Sequence, residues 1–158
     1  MNKRFICFIM TCVLALSGCA SSHGSSVSAQ DTSETAQKAS SLVNDLELEN
    51  MQRLKDRVVL GMIFDGDQDA FTSAAVYKSK ETGDSDTVGV FDTKDTDKCL
   101  QYLEAYMESE KESIEHNYPS EVFKISNAIL LHNDSEVIFI VCSDIESAKS
   151  KAKVILGI

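Results

Sequence analysis

The sequence predicts an α+β domain of order α-ββα-ββα, with a four-stranded, mostly antiparallel sheet, helices packed on one face, and a disordered tether before it. Stretches with apolar residues every three to five positions indicate amphipathic helices, and pairs of short segments with alternating or continuous apolar residues indicate strands. The 158 residues suffice for one domain and an appendage. The expected divisions are a signal segment, 1–18, a tether, 19–41, and a domain, 42–158.

The N-terminal segment has the features of a secretory signal. Lys3 and Arg4 precede a twelve-residue, mostly apolar run, FICFIMTCVLAL, which is too short to span a bilayer comfortably. Leu16-Ser17-Gly18-Cys19 follows and resembles the lipobox of bacterial lipoproteins. The resemblance implies cleavage between Gly18 and Cys19 and attachment of lipid to the Cys19 thiol. The alternative is an ordinary signal peptide that is cleaved after Ala20.

Composition restricts the partners of the chain. The formal net charge is −10, and removal of Lys3 and Arg4 with the signal makes it two units more negative. This acidity argues against nucleic acid as a partner and against a polybasic grip on anionic lipid. Residues 20–41 contain eight serines, two threonines and no aromatic residue. Such a segment can bury little surface, so we predict a flexible tether.

The elements of the domain follow from periodicity and capping residues. The first helix is expected at about 41–59. An acidic turn, Asp65-Gly66-Asp67-Gln68-Asp69, comes next, and its alternating acids suggest a calcium loop. Ala70 and Val76 occupy the loop positions that need glycine and glutamate, so calcium binding is rejected. The remaining expected elements are strands at 73–78 and 87–93, a helix at 95–116, strands at 122–131 and 136–143, and a helix at 145–156.

The two hairpin-plus-helix units are similar at an offset of 50 residues. Val88 and Val90 then correspond to Ile138 and Ile140, and Thr93 corresponds to Ser143. We take an internal duplication as a hypothesis. It places the helix starts after the second and fourth strands at the same end of the sheet.

Cysteine placement leaves two thiols in the domain. Cys7 and Cys12 lie in the signal, and Cys19 is the expected lipid site. Cys99 and Cys142 both lie near the start of a helix that follows a strand. A disulfide between them is therefore geometrically allowed, and separate thiols packed as small apolar groups are the favoured alternative.

No catalytic, metal or cofactor site is predicted. The domain contains no HExxH, CxxC, P-loop or GxSxG motif. Its histidines, His116 and His132, are expected at a helix end and a hairpin tip, where such side chains are usually solvated. Acidic residues are so numerous that no pair can be assigned as general acid and base from the sequence.

Three stretches resemble a family of bacterial lipoproteins that carry the domain of unknown function four-three-five-eight. They are residues 86–91 (DTVGVF), 118–121 (YPSE), and the hairpin 127–129 with 137–144. The resemblance covers roughly 54–156 and implies the α+β architecture and an extracytoplasmic location. Two positions depart from the family pattern: Asn133-Asp134 replaces a usual glycine turn, and Asp92 replaces a common lysine. The family has no established activity.

The expected function is that of a lipid-anchored protein on the extracytoplasmic face of the cell membrane. The long tether and the missing catalytic signature favour a non-catalytic module that binds an envelope protein or ligand, including as an accessory subunit of a transport or secretion system. The alternative is an envelope hydrolase or transferase that uses acidic residues. A deep pocket with two convergent carboxylates of different pKa would favour the enzyme, and an exposed apolar patch would favour binding.

Overall fold

The computed structural model describes residues 33–158, which form five helices and five strands. The helices are α1 (Glu34–Asp45), α2 (Asp56–Ile63), α3 (Thr96–Ile114), α4 (Pro119–Ser126) and α5 (Ile145–Leu156). The strands are β1 (Met51–Arg53), β2 (Ser73–Ser79), β3 (Thr87–Asp92), β4 (Ile129–His132) and β5 (Glu136–Val141). The α+β class is therefore confirmed, while the number of strands is five and not four.

The sheet has the order β1-β2-β3-β5-β4, and every neighbouring pair is antiparallel. The central pair is β3 and β5, in which Val88 lies opposite Ile140 and Val90 opposite Ile138. The additional strand, β1, extends the sheet beyond β2 and pairs Gln52 with Lys78. It arises from a segment that periodicity assigned to the first helix.

Helices cover both faces of the sheet, so the prediction of helices on one face is wrong. We call the two sides the α1/α5 face and the α2–α4 face, after the helices whose side chains pack there. Val90 and Ile138 lie in the core of the first, and Phe91 and Phe139 lie in the core of the second. The reason is visible in β5, EVIFIV, which is buried at every position. A strand that is apolar on both sides needs cover on both sides.

The helix expected at 41–59 is two helices separated by β1. Glu47 and Asn50 adopt positive φ angles of 52° and 55°, and this backbone conformation cannot continue a right-handed helix. The first helix also begins earlier than expected, because Ser33 caps it by accepting a hydrogen bond from the Ala36 N–H at 3.2 Å.

The early start of α1 shortens the segment expected to be a tether at 19–41. Residues 34–41 are helical, and Ala36 and Ala39 are buried against the sheet. The signal segment, 1–18, and the remaining tether residues, 19–32, lie outside the described residues. A helix rich in alanine and serine lacks large apolar side chains, which is why its first two turns resembled a linker.

The strand expected at 122–131 is a helix followed by a shorter strand. Pro119 occupies the first turn of α4, where its fixed φ and missing N–H suit a helix start. Glu121 and Ile125, four residues apart, both point inward from the helix. Only β4, at the end of the segment, is extended.

The hypothesis of duplication fits only the pair β3 and β5, because the same offset places most of β2 on residues of α4. Val88, Val90, Ile138 and Ile140 all face the α1/α5 side, as the offset of 50 residues requires. However, α3 packs on the α2–α4 face and α5 packs on the opposite face. Within residues 33–158, no helix combines the length and apolar character needed to cross a membrane.

Candidate functional site

Three carboxylates surround one ammonium group between α4 and the β2–β3 turn. Lys124 Nζ lies 3.0 Å from Asp84 Oδ1, 2.9 Å from Asp86 Oδ1 and 3.0 Å from Glu121 Oε2. The lysine side chain is only 17% exposed. An ammonium has three N–H donors, so the three carboxylates use its full capacity. We call these four residues, with Ser85, the Lys124 cluster.

The cluster ties a turn to a helix that is distant in sequence. Glu121 and Lys124 are one turn apart on α4, where side chains at this spacing meet. The Glu121 carboxylate accepts hydrogen bonds from the Ser85 N–H at 2.9 Å and from its hydroxyl at 2.8 Å. The turn itself needs Gly83, because its φ is +84° and an added Cβ would overlap the Tyr118 ring.

The carboxylates of the cluster have pKa values that move in different directions. Burial raises the pKa of Asp86, the neighbouring carboxylates add to this, and Lys124 only partly opposes it. Burial also acts to raise the pKa of Glu121, but hydrogen bonds from Ser85 and Lys124 outweigh it and hold that pKa below its ordinary value. The pKa of Lys124 is raised well above the ordinary value despite its burial, because three carboxylates stabilise its charged form.

Glu121→Gln should lower the free energy of unfolding by about 1–2 kcal/mol at pH 7, since charge-assisted hydrogen bonds are lost. The folded pKa of Glu121 lies below the unfolded value of about 4.5, so its contribution is present above that pH and is lost as pH falls through the folded pKa. The difference in free energy of unfolding between wild type and variant should therefore become smaller below pH 4.5.

Urea titrations at pH 7 and below pH 4 measure this gap. Asp86→Asn is the matched control, because the folded pKa of Asp86 is raised and its ionised form is disfavoured in the folded state. It should cost less than Glu121→Gln at pH 7. A gap for Glu121→Gln that stays constant with pH would contradict the assigned role.

A small cavity lies beside the cluster, under α3 and α4. Ser85, Tyr106 and Glu110 are among its lining residues, and its volume is about 10 Å³. That is room for about one water molecule. At the same place Lys78 Nζ donates to the Tyr106 hydroxyl at 2.9 Å and pairs with the Glu110 carboxylate. This cavity is therefore too small to hold a substrate next to the carboxylates of the Lys124 cluster.

Both predicted lipoprotein residues, Gly18 and Cys19, lie outside the described residues. Cys99 and Cys142 are free thiols in separate cores on opposite faces of the sheet. The expectation that both lie at the same end of the sheet is wrong, because β3 and β5 are antiparallel and Thr87 lies opposite Val141. The disulfide that the sequence allowed is absent. Burial raises the pKa of Cys99 to about 12 and also raises that of Cys142, so neither is a reactive thiolate.

The other polar candidates from the sequence are dispersed. His116 and His132 are exposed at the end of α3 and the end of β4. In the acidic turn, the Asp67 carboxylate is held by Lys98 at 2.7 Å and the Tyr102 hydroxyl at 2.9 Å. Across residues 33–158, no group of three His, Cys, Asp or Glu side chains is arranged to hold a metal ion.

The outer side of α4 carries an exposed aromatic residue that the sequence did not point to. Phe123 is 63% exposed, and Tyr118 at the helix start is also exposed. Interpreting this segment as a strand placed Phe123 in a run of core residues. The available signals for a helix were Pro119 and the spacing of Glu121 and Lys124.

Two of the stretches that resembled a known family meet at the Lys124 cluster. Asp86 comes from the first, and Glu121 comes from the second. Cys142, in the third, is close enough for the charges of Asp86 and Lys124 to act on its pKa. Segments far apart in sequence therefore converge on one part of the fold.

The chain matches a protein-family model. The family model described as Domain of unknown function (DUF4358) matches residues 44–142, which is well over half of the chain. The matched segment contains all five strands and the Lys124 cluster, and it ends before α5. No curated protein and no solved structure matches the chain. The chain therefore belongs to the family defined by DUF4358.

Proposed function

We propose that this protein is a lipid-anchored, extracytoplasmic binding module that recognises a protein partner through the surface of α4. The anchor is the lipidated Cys19 that the signal segment and Leu16-Ser17-Gly18-Cys19 predict. The module is the α+β domain. Its role is to hold a partner near the membrane without chemical conversion.

The exposure of Phe123 carries this proposal. A phenylalanine that is 63% exposed leaves much apolar surface in water, and aromatic residues are enriched at protein interfaces. The backbone beneath it is rigidly held, because Lys124 and Glu121 fix the same helix to the β2–β3 turn. An exposed aromatic residue on a fixed helix can bind a partner at a low cost in conformational entropy.

Charge on the neighbouring helix defines the partner further. The helix α3, which precedes α4, contains five acids and two lysines, and its exposed acids include Glu104, Glu108 and Glu112. We propose a partner with an apolar pocket for Phe123 and basic residues around it. Such complementarity increases both the rate and the specificity of association.

The enzyme alternative has one observation in its favour. The pKa of Asp86 is raised while the pKa of Glu121 is lowered, and such a divergence is typical of paired acid and base catalysts. Lys124 neutralises both carboxylates, however, and the adjacent cavity is about 10 Å³. If the protein is an enzyme, the purified protein should turn over a substrate, and Asp86→Asn should abolish that turnover. If the protein is a binding module, there is no turnover for the substitution to abolish.

Intact mass spectrometry of the protein extracted from membranes tests the anchor. The expected mass corresponds to a chain that begins at Cys19 and carries acyl groups. Cys19→Ser should shift the protein into the soluble fraction. An unmodified N-terminus at Ser21 would show that the lipoprotein assignment is wrong.

Photo-crosslinking in intact cells tests the binding surface. A benzoylphenylalanine at position 123 should give a defined adduct, and the same group at Gln68, an exposed position in the turn after α2, is the control. Glu108→Lys with Glu112→Lys should weaken the adduct if the partner is basic. Equal adducts at both positions, or none at position 123, would contradict the proposal.

A further inference from the structure

The helices on the two sides of the sheet differ in charge. On the α1/α5 face, the two helices contain four lysines and three acids. On the α2–α4 face, the three helices contain seven acids and four basic residues. The basic excess on the first face lies in α5, which contains three lysines and one acid, because Lys38 of α1 is paired with Glu34 and Glu136. Such a distribution orients a molecule in the field of a charged surface.

The α1/α5 face also has two exposed apolar residues at the end of α5. Val154 is 80% exposed on the outer side of α5, and Ile158 is 59% exposed just beyond it. Ile158 is held in place, since its N–H donates to the Lys153 carbonyl at 3.1 Å after Gly157 ends the helix. Lys149 and Lys153 are exposed on the same helix and lie four residues apart.

The first described helix, α1, packs on this same face, and its first turns lie near the end of α5. In α1, Lys38 pairs with Glu136 at 2.9 Å, which places the first turns of the helix at the start of β5. The end of α5 lies there too, because Asn133, whose N–H bonds to the Glu136 carbonyl, also donates from its side chain to the Leu156 carbonyl at 3.2 Å. The described residues therefore begin near the end of α5, and the proposed anchor at Cys19 precedes them in the sequence.

We propose that the α1/α5 face rests on the anionic phospholipid surface to which the chain is anchored. Lys149 and Lys153 contact headgroup phosphates, and Val154 and Ile158 insert into the interfacial region. The contact rests on the proposed lipid anchor, which supplies the high effective concentration that so small a surface needs. The acidic α2–α4 face then points away from the membrane and presents Phe123 to a partner.

The mature protein, purified from membranes and reconstituted into vesicles, provides the test. Val154→Cys allows a polarity-sensitive dye to be attached selectively, because Cys99 and Cys142 are buried and Cys19 is blocked by lipid. Phe123→Cys, labelled in the same way, is the matched control. Vesicles containing phosphatidylglycerol and vesicles of phosphatidylcholine alone are compared, each with and without a nitroxide quencher in the acyl region.

We expect the dye at position 154, and not at 123, to shift to the blue and to be quenched severalfold in the anionic vesicles. High salt, phosphatidylcholine, or Lys149→Glu with Lys153→Glu should remove most of this effect. Equal dye signals at positions 154 and 123 would overturn the docking and leave solvent on the α1/α5 face. A signal at position 154 that depends on protein concentration, and not on lipid charge, would also overturn it and would identify a second copy as the occupant. Flotation separates the two proposals: protein that floats without quenching contradicts only the docking, and protein that does not float contradicts the anchor and the docking together.

Discussion

Phe64→Ala is expected to lower the free energy of unfolding by about 3–5 kcal/mol, the range for removal of a buried phenylalanine. Phe64 is fully buried at the end of α2 and is the centre of an aromatic group. Its ring centroid lies 4.8 Å from that of Phe71, 5.4 Å from that of Phe91 and 5.7 Å from that of Tyr102. Alanine removes all three contacts and leaves a cavity between α2, α3 and β3.

Urea unfolding followed by far-ultraviolet circular dichroism measures the loss. Phe123→Ala is the matched control, because it removes the same atoms from a side chain that is 63% exposed, and it should change stability by no more than about 0.5 kcal/mol. Similar losses in the two variants would mean that the Phe123 side chain is buried against the rest of the domain.

Lys124→Met should lower the free energy of unfolding by about 2–3 kcal/mol at pH 7. Methionine keeps most of the side-chain volume and removes the charge, which leaves Asp84, Asp86 and Glu121 facing one another without a cation. Removing one partner of a fully buried ion pair costs about 3–5 kcal/mol, and the 17% exposure of Lys124 reduces that figure. The β2–β3 turn and α4 should be the first segments to loosen.

The loss caused by Lys124→Met should shrink as pH falls. The three carboxylates become protonated in the variant at higher pH than in wild type, because they have lost their cation. Lys149→Met is the control, since that lysine is exposed on α5 and its removal should change stability by no more than about 0.5 kcal/mol. A loss for Lys124→Met that is independent of pH would indicate that packing, and not charge, is what Lys124 contributes.

Local signals were sufficient for about half of the elements. The strands β2, β3 and β5 were predicted to within two residues because alternating or continuous apolar residues lie between turn-forming residues. The last helix was predicted with its observed bounds, since Asp144 caps it and alanines line its inner side. In these segments the propensity, pattern and packing of the residues agree.

The errors occurred where tertiary contacts decide the structure. A continuous periodic pattern at 41–59 concealed β1, whose extended form depends on pairing with β2. The helix α4 resembled a strand because Val122, Phe123 and Ile125 are β-formers, but burial of Glu121 against Ser85 favours the helix. The local sequence pattern also does not determine which side of the sheet each helix covers, since a helix can pack against either face of β5.

The candidate site was still harder to predict than the fold. The Lys124 cluster joins residues that are 36 to 40 positions apart, and nothing in either segment alone indicates an ion network. Exposure of Phe123 followed from a helix that the sequence did not predict. The expected modification at Cys19, by contrast, depends only on adjacent residues, and it stays a prediction because those residues lie outside the described part of the chain.

The two outermost strands of the sheet have a consequence for behaviour at high surface density. An antiparallel sheet that is not closed leaves one row of backbone groups free at each edge, and long flat edges promote association between neighbouring molecules. Here the edge strands β1 and β4 contain only three and four residues. Molecules held side by side in one plane would meet frequently, and such short edges give each encounter few hydrogen bonds with which to persist. The sheet can therefore be crowded without nucleating intermolecular β-structure.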